Sequence, residues 1–192
     1  MHRLSASFVL GYHGCDAAVA GQLLNGHEFK SSNNDYDWLG HGVYFWEANP
    51  ARGLEFAKEA QAKDPESVKA PAVVGAVIDL GLCLDLTTSA GIQIVRDTYQ
   101  NLVKITEEAK SPLPRNSGDS LRRNLDCAVV NLVHEVRTEA ALPSIDTVRT
   151  VFVEGQPIYD GSGFFIKSHI QICVRNPECI KGVFRMRNSM LV

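Results

Sequence analysis

The sequence predicts an α+β fold, and three observations carry that expectation. Strand-like runs stand near both ends of the chain, at residues 7–11, 38–46, 147–153, 168–175 and 181–186. Two long amphipathic helical stretches fill much of the middle. Helices inserted between early and late strands suit an α+β arrangement better than a regularly alternating doubly wound sheet.

Each element has a local reason. Residues 7–11 read as a short strand, after which Asp16 caps a helix whose Val19, Leu23 and Leu24 share a face until Asn25-Gly26 stops it. His13 then lies at a strand-to-helix junction. A polar, Asn-rich loop covers 31–35, and the alternation over 38–46 is interrupted by Gly40 and Gly42. Asn49-Pro50 opens a helix over 51–63, with asparagine as the cap and proline in the first turn. The Val/Ala/Ile run at 70–80 and the short apolar piece at 83–86 read as sheet core.

Ile92, Val95, Tyr99, Leu102 and Val103 form one helical stripe, and Leu121, Leu125, Ala128, Val129, Leu132 and Val133 another. Pro112, Pro114 and Gly118 mark the loop between them. No repeat or low-complexity segment breaks the 192 residues, which read as a single domain with a helical insertion at about 87–141.

Composition bounds the functional classes. Hydrophobic residues make up 45 % of the chain, enough for one core without covalent staples. The five cysteines form no Cys-x-x-Cys pair, so neither a disulfide framework nor a metal site is expected, and a reducing, cytoplasmic setting fits. The opening apolar run is too short for a signal peptide, and no run approaches membrane-spanning length, so no membrane partner is expected. A net charge of -3 argues against a broad duplex-binding face, while a local patch such as Arg122-Arg123 stays open.

Two segments carry candidate chemistry. Tyr12-His13-Gly14 pairs an imidazole with a backbone that a flat ligand can approach closely. Residues 40–45, Gly-His-Gly-Val-Tyr-Phe, again join glycine permissiveness to an aromatic ring, and Phe56 follows on the next helix. Singly, each has an ordinary explanation: a hydrogen-bonding structural histidine, core aromatics, a bulge at the glycines. Their order and spacing raise the chemical reading.

That order resembles the ADP-ribosyltransferase superfamily of the poly(ADP-ribose) polymerase type, with its His-Gly, its Gly-x-Gly-[Ile/Val]-Tyr-Phe strand and its following aromatic-bearing helix. The resemblance implies a split antiparallel sheet with flanking helices, and NAD as co-substrate without a metal. It implies that His13 binds a ribose hydroxyl, that the Gly14 backbone pairs with the nicotinamide carboxamide, and that Tyr44 and Phe56 stack on the ring. It covers the first third well and the final strand loosely, and it finds no counterpart for 87–141.

The family pattern ends in a polar residue, usually glutamate, on a late strand. Gln171 is the candidate here, on the face it shares with His169 and Cys173. Its amide can hold a ribose hydroxyl but cannot ionise, which points to single transfer of ADP-ribose or NAD hydrolysis rather than polymer growth. Glu154 is a second carboxylate source, although it reads first as a solvated turn residue. Ser31, Ser32 and Asn33 are weaker candidates for the adenosine side, and Lys167, Arg149 and Arg175 for the pyrophosphate. His41 and His169 read first as structural or surface histidines.

The implied activity is mono-ADP-ribosyl transfer to a protein, nucleic acid or small-molecule acceptor that the sequence does not identify. A catalytically silent NAD- or ADP-ribose-binding or protein-interaction module is the alternative. An RNA 2'-phosphotransferase-like enzyme ranks last, because no arginine-rich pattern accompanies the His13 segment.

Overall fold

The computed structural model describes residues 8–117 and 122–187. Its strands are β1 (Phe8–Asp16), β2 (Val43–Glu47), β3 (Pro71–Asp79), β4 (Cys83–Asp85), β5 (Thr147–Phe152), β6 (His169–Val174) and β7 (Ile180–Arg185). The helices are α1 (Ala17–Leu24), α2 (Pro50–Lys63), α3 (Ser89–Glu108) and α4 (Asn124–Glu139), and a short 3-10 turn spans Pro177–Cys179.

The helix starts obey their sequence signals. Asp16 accepts from the Ala18 N–H, Asn49 from the Arg52 N–H with Pro50 at the first helical position, and Thr88 from the Gly91 N–H. Residues 7–11 were the expected first strand, but β1 continues to Asp16 because all nine of its residues find register partners on β3. His13 therefore lies within a strand. The second strand is shorter than expected, since residues 38–42 form a loop ahead of Val43.

The fold is α+β, with one seven-stranded sheet in the order β4-β5-β6-β2-β1-β3-β7. The sheet is mixed: β4 runs parallel to β5, whereas every other neighbouring pair is antiparallel. That corrects the all-antiparallel expectation. The reason is the 87–141 stretch, whose two helices form a crossover long enough to join parallel strands.

Alternation divides the side chains between two faces. On one face, Leu84, Val148, Phe152 and Cys173 pack with Val130 and Val133 of α4, and Tyr12 and Val73 lie under α2. On the other, Phe45, Ala76, Ile78, Ile172 and Val174 join Cys179 of the 3-10 turn, while Ala20 and Leu23 of α1 cover Val74. Phe45 is fully buried, so truncating it to alanine is expected to cost about 3–5 kcal/mol.

The pairing of β1 and β2 is the feature that positions a site. Only Gly11↔Glu47 and Tyr12↔Trp46 are in register, whereas β1 follows β3 along its whole length. From His13 onward β1 and β2 part, and the sheet opens between them.

Candidate functional site

Strand β2 is the spine of the region. Across the opening, the Nδ1 of His13 lies 2.9 Å from the carbonyl oxygen of Tyr44. A carbonyl only accepts, so Nδ1 carries the proton and Nε2 keeps its lone pair. The imidazole packs edge-on to Phe29 with centroids 5.3 Å apart, and lies 5.7 Å from Phe45. Burial holds its pKa below the usual histidine value, so the ring is neutral at about pH 7.

Gly14 is required by packing. A Cβ there would collide with the carbonyl oxygen of Gly53, because α2 lies directly on β1 at this point. That close approach also places the helix carrying Phe56 over the sheet.

Tyr44 points to the face opposite His13, with Leu39 and Cys173 among the cluster it packs against. Its hydroxyl donates to the Gly40 carbonyl at 2.8 Å and accepts from the Leu39 N–H at 2.9 Å. Gly40 makes this closure with φ of 75°, a left-handed conformation that glycine adopts without strain. Burial raises the phenol pKa far above its usual value, so the hydroxyl keeps its proton.

Phe56 is 43 % exposed, which corrects its reading as a core aromatic. Its ring partner is Trp46, with centroids 4.8 Å apart; no ring contact joins Phe56 to Tyr44 among the described residues. Gln171 stands opposite Trp46 on one side and Thr150 on the other. It is half-buried, and its amide makes no hydrogen bond to the described residues. Tyr44, Trp46, Phe56 and Gln171 thus gather on one face, and His13 reaches β2 from the other through the opening.

Beside Gln171 lies a charged network that sequence reasoning did not find. Arg52 is buried at 6 % exposure, and its Nη2 donates to both carboxylate oxygens of Glu154 at 3.2 Å. It also forms ion pairs with Glu55 and Glu59 at 3.5 Å, and Lys167 donates to Glu59 at 2.6 Å. Glu154 is therefore a bonded partner of a buried guanidinium, not the solvated turn residue expected. His169 is buried, with its Nδ1 2.6 Å from the Lys167 carbonyl oxygen and 4.0 Å from Glu154 Oε2.

Trp46 was legible as a face-mate of Tyr44 by its two-residue spacing. Arg52 gave no signal, because an arginine in a first helical turn is ordinarily solvated. Of the remaining basic candidates, Arg149 is bound by Glu47 and Asp85 on the opposite face. Arg175 donates to the His41 carbonyl at 3.0 Å. Arg175 borders a cavity of about 400 Å³ with His41, Asn131 and His134.

A larger cavity of about 540 Å³ lies between α3, α4 and β5, bounded by Trp38, Tyr99, Arg123, Thr150 and Phe152 among others. Thr150 is the register partner of Gln171, so this space adjoins the candidate site. Among the described residues, no group of three or more His, Cys, Asp or Glu side chains is placed to hold a metal ion. No helix among them is long and apolar enough to cross a membrane.

Comparison of the chain with protein-family models, with curated proteins and with solved structures found no match.

Proposed function

We propose that this chain is an NAD-dependent mono-ADP-ribosyltransferase built on a split sheet of the ADP-ribosyltransferase type. The observation that carries the reading is the opening between β1 and β2, bridged by His13 and edged by Gly14. In this reading the dinucleotide enters the opening. His13 Nε2 accepts a ribose hydroxyl, and the Gly14 main chain pairs with the carboxamide.

The aromatic residues Tyr44 and Phe56, with Trp46 beneath Phe56, hold the nicotinamide ring. The Gln171 amide holds a hydroxyl of the adjoining ribose. Fixing ring and sugar together favours the oxocarbenium-like state in which the ribose C1'–nitrogen bond breaks. The bonding pair leaves with nicotinamide, which becomes neutral, and the acceptor oxygen or nitrogen bonds to C1'. Because Gln171 cannot ionise, polymer growth is not part of the proposal.

The silent-module alternative has one specific observation in its favour, the amide at 171 where a carboxylate is usual in the resembled family. The phosphotransferase alternative is weakened, since Arg52 and Arg149 are both engaged by carboxylates. Incubation with NAD labelled in the nicotinamide ring separates the first two. Release of nicotinamide by the wild type but not by Tyr44→Ala supports transfer; NAD binding without release supports the silent module.

A further inference from the structure

We propose that His169 is the proton acceptor of this site, taking the proton from a water or alcohol hydroxyl held between Trp46 and Arg52. The inference rests on the transfer reading above and supplies what Gln171 lacks.

Its basis is a set of buried polar atoms around one ring. The Trp46 Nε1–H, the Arg52 Nε–H and the His169 Nε2 are all buried and have no hydrogen-bond partner among the described residues; Arg52 Nη1 is buried likewise but faces Glu55 Oε2 at 3.5 Å. The Arg52 guanidinium carbon lies 5.9 Å from the Trp46 ring centroid, and the His169 ring centroid 6.4 Å from it. A buried unsatisfied polar atom costs about 1–3 kcal/mol, so three around one indole call for a shared partner. Two are donors and one is an acceptor, the pattern that one hydroxyl oxygen satisfies: its lone pairs accept from Trp46 and Arg52, and its proton points to His169.

The tautomer is fixed for this task. His169 Nδ1–H donates to the Lys167 carbonyl, which leaves Nε2 as the basic nitrogen. Burial lowers the imidazole pKa below its usual value, so the ring is uncharged and able to accept at neutral pH. The groups facing it are Arg52 and Glu55 from α2, Glu154 after β5 and the Lys167 carbonyl before β6; Trp46 and Phe152 supply uncharged walls. Glu154, 4.0 Å from Nδ1, offsets the charge of the imidazolium once it forms.

His169 and Gln171 share a face of β6 two residues apart, roughly 6.6 Å along the strand. That spacing leaves room for an attacking oxygen beside a ribose held by Gln171. The step balances. The hydroxyl proton passes to Nε2, the oxygen bonds to C1', the C1'–nitrogen bond breaks with its pair going to nicotinamide, and the imidazolium later releases the proton to solvent.

The test is a pH–rate profile of nicotinamide release by wild type, His169→Gln and Trp46→Phe, with NAD affinity and melting temperature measured alongside. Glutamine fills the site but cannot take the proton. The expected result is a loss of about 100-fold in His169→Gln, with NAD affinity kept and the acid limb of the profile abolished. Trp46→Phe keeps the ring and loses the N–H, and a loss of about 100-fold is expected. Added methanol separates the two sources of hydroxyl: free ADP-ribose marks water, and methyl-ADP-ribose marks an alcohol. If the wild type cleaves NAD and both variants cleave within about threefold of it with an unchanged profile, His169 is not the acceptor. If the wild type releases no nicotinamide, the transfer reading itself falls and this inference with it.

Discussion

The Nδ1–H of His13 donates to the carbonyl of Tyr44 across the opening between β1 and β2, at 2.9 Å. This bond joins the two strands just past the point where their backbone pairing ends at Tyr12↔Trp46. It also sets the tautomer that turns His13 Nε2 into an acceptor.

The first prediction concerns Gly14 and Gly21. Gly14→Ala drives a Cβ into the Gly53 carbonyl, and backbone on both sides leaves no flexible atom to yield. A loss of about 3 kcal/mol or more is expected, through the rigid overpacking mechanism, together with weakened NAD binding. Gly21, inside α1, has open space around its Cβ position, and Gly21→Ala is expected to add about 0.5–1 kcal/mol. Denaturant unfolding of both variants checks the contrast.

Arg52 gives a second prediction. Arg52→Met keeps a long apolar stem but leaves Glu154, Glu55 and Glu59 without the guanidinium that all three face. These carboxylates are partly exposed, so the cost is expected near 2–3 kcal/mol rather than the 3–5 of a fully buried pair. In a chain of this length that lowers the melting temperature by roughly 5–10 °C. Arg52→Lys restores the charge but not the fork, and is expected to recover only part of the loss.

Acid is expected to weaken the fold before the carboxylates titrate. His13, His134 and His169 all have pKa values lowered by burial, with His134 brought down to about 4. Below about pH 6.5 the unfolded chain binds protons that the folded chain refuses, so stability falls with pH across the window from 6.5 down to the folded values. For His134, where Arg175 and Arg137 add to the effect, that window ends near 4. Melting temperatures measured from pH 7.5 to 4 are expected to decline, and His134→Gln to flatten part of the decline. A flat wild-type profile above pH 4.5 would contradict this.

Gln171 and the proton acceptor make a fourth. Gln171→Ala removes the amide proposed to hold the ribose and is expected to lower transfer chiefly, with stability near that of the wild type because the side chain is half-buried and makes no bond to the described residues. With His169 as the proposed base, Gln171→Glu is expected to leave NAD cleavage within about threefold of the wild type. A large increase would show that the amide limits the reaction.

Much of the fold was legible because its signals are local. Asp16, Asn49-Pro50 and the alternating runs near both ends marked their elements to within a few residues. The length of β1 was not, since Gly11 to Cys15 contains two glycines and only the pairing with β3 keeps it extended. The parallel β4–β5 pair was hidden for the same reason: register between distant strands is set by packing, not by either strand's own composition.

The site divides in the same way. His13, Gly14 and Tyr44 could be chosen from adjacent residues in two short segments. Arg52, Glu154 and His169 come together only after α2, β5 and β6 have assembled, with Arg52 and Glu154 separated by 102 positions. A charged side chain in a first helical turn and another in a turn give no sign, one at a time, that they will be buried together.

The most direct measurement is nicotinamide release from ring-labelled NAD by the wild type and by His13→Ala, with circular dichroism confirming that both are folded. Release by the wild type, lowered about 100-fold or more in His13→Ala, is the expected result. No release by the wild type, or release by a folded His13→Ala within about threefold of it, would contradict the assignment of the β1–β2 opening as an NAD site that performs transfer.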